Sequence, residues 1–282
     1  MKKALGIILI VATIIACCFA FTACNKDKTG LEDGVLNVAT NCEFDPFEYL
    51  DDKGTPTGVD MDIAKAIAKE LGVECKIKDM AFDSVVGSVA SGAQDVAMAG
   101  LTVTAERKQS VDFTQTYFSS SQVVIAKNGN AILDIKAASD SKKDIETAIA
   151  SVEAMLKGKT IGVQNGTTGY AYASGDSDDF NGITDADKVK GFASGALAVQ
   201  ALLNGTVDYV IIDAVPAAKL VAANTGITAS TVILTGEDYA FAVKKGNSTL
   251  LKKINAAMDK LIKDGTIEAI FNKYGLTSGL GE

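Results

Sequence analysis

The chain has 282 residues, with 27 basic against 35 acidic side chains for a net charge of −8, and it contains neither histidine nor tryptophan. The absence of histidine excludes imidazole acid–base catalysis, the usual serine and cysteine triads and nearly every zinc site, so no metal and no cofactor is expected. The acidic balance argues against nucleic acid and anionic membrane surfaces as partners.

The chain opens with Lys2-Lys3, an apolar run from Ala4 to Phe21, then Thr22-Ala23-Cys24 and the polar stretch Asn25 to Gly30. A basic segment, an apolar segment and a small residue before the cleavage point describe an export signal. Ala23-Cys24 resembles a bacterial lipoprotein box, which implies a signal peptide over 1–23, acylation of Cys24 (palmitate) and a linker over 24–33. Phe21 departs from the usual leucine of that box. Ile14-Ile15-Ala16-Cys17 fits better there, but cleavage before Cys17 would leave Phe19-Ala20-Phe21 on an exposed tether, so Cys24 is preferred. An uncleaved anchor would change the attachment and not the side of the membrane. Loss of Lys2 and Lys3 with the signal leaves 25 basic against 35 acidic residues, a net charge of −10. Roughly 250 residues remain, enough for one large or two modest domains.

From Gly34 short apolar strands alternate with amphipathic helices: Leu36–Ala39, helix Asp60–Leu71, Cys75–Lys78, helix Phe82–Ser91 and Val96–Ala99. That alternation predicts parallel sheet covered by helices. Cys42 follows the first strand and Cys75 opens the next, so in parallel strands they sit at opposite ends and stay free thiols. Asp60 and Asp62 suit the start of a helix, where carboxylates complement the dipole. Phe47, Phe113 and Tyr117 read as core or hinge packing.

After Val96-Ala97-Met98-Ala99 the run Gly100-Leu101-Thr102-Val103-Thr104-Ala105-Glu106-Arg107-Lys108 turns polar. Thr104 is expected to cap a helix whose first turn carries Arg107. A cation at a helix N-terminus is unfavourable by a few tenths to about 1 kcal/mol, so an anion is expected to compensate it. A ligand carboxylate held by the guanidinium and backbone amides would do so.

Beyond it come strand Gln122–Ala126, the polar stretch to Asp144 and a helix from about Ile145 to Lys157. A second alternating unit follows: strand Thr160–Val163, a Gly/Thr loop opening a helix, Val189–Phe192, helix Gly195–Asn204, Asp208–Ile212, helix Ala214–Asn224 and strand Thr231–Leu234. The tail holds strand Phe241–Val243 and helices Thr249–Asp264 and Ile267–Tyr274. Two such units predict two lobes.

Val38-Ala39-Thr40-Asn41, Phe44-Asp45-Pro46-Phe47-Glu48-Tyr49, Gly58-Val59-Asp60-Met61-Asp62-Ile63, Asp95 to Arg107, Val111-Asp112-Phe113 and Ile161 to Gly169 together resemble the polar amino-acid-binding proteins of ATP-binding-cassette importers, over Gly34 to Leu276. The resemblance implies a type II periplasmic-binding-protein-like α/β fold with the ligand between two lobes. Lobe 1 would comprise 34–117 and 240–282, lobe 2 would comprise 122–234, and the hinges would lie near 117–121 and 235–239.

By the same resemblance Arg107 binds the ligand carboxylate, Thr102 gives a hydroxyl and an amide, and the Gly100 carbonyl meets the ammonium. The Thr167 and Thr168 amides hold the carboxylate from the other lobe, Asp213 takes the ammonium, and Phe44 and Phe82 sandwich the side chain. Asn41, Glu43, Gln164 and Ile212 occupy or flank positions that set specificity, and they favour a polar or cationic side chain over an acidic or apolar one. The segment Asn128 to Lys157 is longer than its counterpart in the family. The implied function is a non-enzymatic, monomeric receptor, lipid-anchored on the extracytoplasmic side, that delivers a free amino acid to a permease with its ATPase. The alternatives are a dehydratase-type enzyme on the same scaffold and a sensor or adhesin module. Such an enzyme would be expected to replace Asp213 and install an acid–base group.

Overall fold

A computed structural model describes residues 31, 33–177 and 179–278; the expected signal peptide, Cys24 and nearly all of the linker lie outside them. Strand β1 (Val35–Thr40) buries Leu36, Val38 and Ala39. A small three-stranded sheet follows, made of β2 (Glu43–Phe44), β3 (Glu48–Leu50) and β4 (Pro56–Thr57). Helix α1 (Val59–Leu71) places Val59, Met61, Ile63, Ala64, Ile67 and Ala68 on one buried stripe and ends at Gly72 in the left-handed conformation. Full burial of Ile63 or Ile67 contributes about 1.5–3 kcal/mol each. Strand β5 (Glu74–Asp79), helix α2 (Phe82–Ala90) and strand β6 (Val96–Ala97) complete this unit, with β5 and β6 both parallel to β1.

The one-turn helix α3 (Arg107–Ser110) leads directly into β7 (Val111–Lys127). At 17 residues, β7 runs about 55 Å. The second unit contains α4 (Lys142–Leu156), β8 (Ile161–Gln164), α5 (Thr168–Ser174), β9 (Val189–Phe192), α6 (Gly195–Leu203), β10 (Tyr209–Asp213), α7 (Ala214–Ala223) and β11 (Ile227–Ala229). Strand β12 (Thr235–Lys244) and helices α8 (Ser248–Lys263) and α9 (Thr266–Lys273) close the chain.

The large sheet is nine-stranded, in the order β5-β1-β6-β12-β7-β10-β8-β9, with β11 also on β7. Strands β7 and β12 pair antiparallel from Gln122↔Thr235 to Val111↔Lys244 and carry the ladder from one unit into the other. The tail helices pack back on α1: Lys273 pairs with Asp62 at 2.6 Å, Lys260 pairs with Glu70 at 2.6 Å, and the Tyr274 hydroxyl lies 3.3 Å from Thr57 Oγ1.

The structure departs from the sequence expectation at several points. Thr231–Leu234 is not a strand. Strands β11 and β12 occupy one edge of β7 in succession, before and after this segment, and Val232 and Leu234 are buried in core packing while Ile233 stays 52% exposed. The helix expected from about Ile145 starts earlier, at Lys142, because Ser141 caps it by accepting from Asp144 N at 3.2 Å. The segment from Asn128 to Lys157 packs into the second unit, with Ile132, Ala148, Val152 and Leu156 in its core. Cys42 and Cys75 are free, as expected, and burial pushes the Cys42 thiol up to about 12.

Candidate functional site

Between the two units lies a cleft of ≈ 500 Å³. The first unit contributes Phe82, Thr104 and Arg107 to its walls, and the second contributes Gly166, Thr167 and Thr168. Thr104 Oγ1 accepts from Arg107 N at 3.1 Å, but α3 starts at Arg107 and its N-cap residue is Glu106, so Thr104 braces the turn before the helix and is not the cap expected of it. The half-buried Arg107 guanidinium donates to Thr102 O at 2.8 Å within its own unit and to Gly166 O at 3.0 Å across the cleft, and its Cζ lies 5.6 Å from the Phe82 ring centre. Burial lowers the Arg107 pKa, and the carboxylates of Glu237 and Asp213 partly offset that.

Gly166 is a close-approach position. Its φ is +74°, and a Cβ there would lie 2.9 Å from Asp83 Cα of the opposite unit. Thr167 caps α5, its hydroxyl accepting from Tyr170 N at 3.2 Å and donating to Gln164 O at 2.8 Å, while its amide donates to the same carbonyl at the longer distance of 3.4 Å and the Thr168 amide leads the helix.

Deeper in, the polar groups form one network. Asp213 is 4% exposed and occupies the N-cap position of α7, yet its side chain makes no cap bond. Its carboxylate instead accepts from Gln122 Nε2 at 2.8 Å, from Ser120 Oγ at 3.1 Å and from the Tyr239 hydroxyl. Burial, and then the neighbouring Glu237, push its pKa up to about 7. Thr168 Oγ1 accepts from Gln122 Nε2 at 3.2 Å and donates to Glu237 Oε2 at 2.9 Å, while Thr102 Oγ1 donates to the same oxygen at 2.6 Å.

The residues singled out from sequence therefore fall into groups. Phe82, Arg107, Thr167 and Thr168 line the cleft, and Thr102 and Asp213 join Thr168 through the network beneath it. Phe44 is not on the cleft wall; its ring packs on Gly100, where φ is +53° and a Cβ would come within 2.9 Å of the ring. Asn41 and Gln164 are buried and engage each other across the units, with Gln164 Nε2 donating to Asn41 Oδ1 at 2.8 Å. Glu43 is exposed, and Ile212 sits in the large core cluster facing Gly195 of α6.

Sequence reasoning missed Glu237, Gln122 and the role of Asp60. Asp60 does more than complement a helix dipole: fully buried, it accepts from Gly100 N at 2.9 Å and from the Tyr117 hydroxyl at 2.7 Å, which fixes the Gly100 peptide. Burial raises its pKa to about 7, and burial, with the neighbouring Asp60 charge, holds Glu48 well above the ordinary carboxylate range. A signal for Glu237 was present. It lies in phase with Tyr239 and Phe241 on the buried face of β12.

A two-unit α/β molecule joined by two crossing strands, with opposed charges beside a cleft, defines a clamp-type binding protein of the periplasmic-binding-protein type II fold. The chain belongs to the bacterial extracellular solute-binding proteins, family 3, whose sequence model matches residues 36–277. It is 29% identical to the ABC transporter arginine-binding protein 1 of Escherichia coli over 94% of this chain and 98% of that protein. It is similar to a solved ancestral arginine-binding protein bound to arginine, at 39% identity and TM-score 0.70, covering 86% of this chain and 98% of that one. It is also similar to an ancestral amino-acid-binding protein described as a precursor of cyclohexadienyl dehydratase, at 30% identity and TM-score 0.70, covering 89% and 99%.

Proposed function

We propose that this chain is the extracytoplasmic receptor of an ABC importer and captures a polar or cationic L-amino acid. The observation that carries the reading is the division of charge between the units: Arg107 reaches across the cleft to Gly166, while Asp213 reaches Thr168 through Gln122. A zwitterion fits that division. Its carboxylate would meet Arg107 and the backbone amides of Thr102, Thr167 and Thr168. Its ammonium would meet Asp213 and the Gly100 carbonyl. The Phe82 face would take the side chain, with Asn41, which donates to Met80 O at 2.9 Å two residues before Phe82, and its partner Gln164 as the polar groups, and Phe44 would act by holding Gly100.

The units act as lobes that close about Tyr117–Ser121 and Thr235–Tyr239. The protein works as a monomer tethered through acylated Cys24 and hands its amino acid to the permease and ATPase. It is a receptor and not an enzyme: Asp213 accepts two donors at Oδ1 and one at Oδ2, which orients the carboxylate and leaves an acceptor site on Oδ2 for a cation.

A thermal-shift screen against the standard amino acids tests this. Ligand at 100 times its dissociation constant stabilises by about 2.7 kcal/mol, which for a chain of this size raises Tm by about 5–10 °C. The expected responders are arginine, lysine or glutamine. No shift with any amino acid at millimolar concentration, or a best response to an acidic one, refutes the reading.

A further inference from the structure

Glu237 belongs to the hinge strand β12, is buried, and is met from both sides of the cleft. Thr102 Oγ1 of the first unit and Thr168 Oγ1 of the second both donate to its Oε2, at 2.6 and 2.9 Å, and Thr235 Oγ1 donates to its Oε1 at 3.0 Å. A threonine hydroxyl has one proton and two lone pairs. With that proton committed to Glu237, each threonine can only accept from anything else. Thr168 has already accepted from Gln122 Nε2 at 3.2 Å, so one lone pair remains there and two remain on Thr102.

We propose that Glu237 is a positioning residue for ligand recognition: it holds the Thr102 and Thr168 hydroxyls as acceptors, so that they serve the ammonium of an amino acid and not its carboxylate. The consequence is a site sorted by polarity. Asp213, the Gly100 carbonyl and the two hydroxyls form an acceptor cradle, while Arg107 and the backbone amides form the donor side. Without Glu237 either hydroxyl could rotate its proton into the cleft and turn an ammonium away. The inference rests on the amino-acid reading given above.

The opposite role is physically conceivable and has the opposite sign. If the Glu237 carboxylate stood where a ligand carboxylate belongs, it would compete, and its removal would tighten binding. Calorimetric titration with L-arginine, L-lysine and L-glutamine decides, using Glu237→Met, the paired variant Thr102→Val/Thr168→Val and the triple variant. Glu237→Met is expected to lose about tenfold or more in affinity, and the paired variant a comparable amount. In the triple variant Glu237→Met is expected to add less than about threefold, because its effect passes through the two hydroxyls. Melting of each variant without amino acid reports folding separately, and the triple variant removes the hydroxyls that Glu237→Met alone would strand. Unchanged or tighter binding by Glu237→Met, or losses that multiply fully in the triple variant, overturns the proposal. Wild-type protein that binds none of the three probes refutes the amino-acid reading first and this inference with it.

Discussion

Replacing Arg107 with alanine separates what the guanidinium does for the fold from what it does for binding. In the fold it donates to Thr102 O at 2.8 Å and to Gly166 O at 3.0 Å and stands 5.6 Å above Phe82. Hydrogen bonds to a charged group contribute about 1.5–3 kcal/mol when sheltered, but Arg107 is half-buried and water can replace it at both carbonyls. The expected stability loss is therefore only about 1–2 kcal/mol after that discount. Binding is different, because a ligand carboxylate would lose its only charged partner in a closed cleft. Breaking one side of such a pair costs about 2–5 kcal/mol, or roughly 30-fold to several thousand-fold in affinity. Arg107→Lys keeps the charge and loses the two-pronged geometry, so it should fall between alanine and wild type. Titration calorimetry with the amino acid selected by thermal shift, alongside urea unfolding without it, measures both quantities. An affinity loss under about threefold, with the fold intact, would refute the assignment of Arg107 to the ligand carboxylate.

Affinity should fall as pH is lowered below about 7, because Asp213 titrates near that value and must be ionised to hold an ammonium; calorimetry below pH 7 in buffers of different ionisation enthalpy should show proton release on binding, which Asp213→Asn abolishes. For the protein alone the sign is reversed: Asp213 and Asp60 hold their protons more tightly folded than unfolded, so their contribution to stability is fully present below about pH 4 and declines as pH rises from about 4 to about 7, and urea midpoints in Asp213→Asn should lose Asp213's share of that decline. Small-angle scattering should show compaction on adding the selected amino acid, since contacts from both lobes coexist only in the closed form; an identical shape with and without it would exclude the hinge account. Cys24→Ala should release the protein from membranes in a fractionation assay, and unchanged association would point to Cys17 or an uncleaved signal.

The strands and helices that alternate on a period of two or 3.6 were legible because burial imposes those periods: α1 and β1 fall within a residue or so of where Asp60–Leu71 and Leu36–Ala39 place them. The crossing strands were only partly legible. In β7, Ser119-Ser120-Ser121 interrupts the apolar pattern, since those residues pair with β12 where polar groups gather, and the strand continues through them regardless. Arg107 and Asp213 stood out because each breaks a local rule, a cation at a helix start and an acid ending an apolar strand. Gln122 breaks none that a short window reveals, and Glu237 breaks only the two-residue phase it shares with Tyr239 and Phe241. Apart from Thr235, the partners named for them lie 135, 69, 91 and 46 residues away, and only the closed ladder brings them together.

That long-range network also explains why the binding groups and the hinge are difficult to separate. Ser120 and Gln122 lie on β7, Glu237 and Tyr239 lie on β12, and these strands join the units through the pairs Ser120↔Glu237 and Gln122↔Thr235. Their side chains hold Asp213 from the second unit, and through Glu237 they hold Thr102 from the first. A bend of the crossing strands must therefore disturb the groups that a ligand ammonium would meet, and a ligand that orders those groups must favour one bend over another. Differential affinity for one arrangement is the only way a ligand can drive closure, and here the same hydrogen bonds belong to both the arrangement and the site.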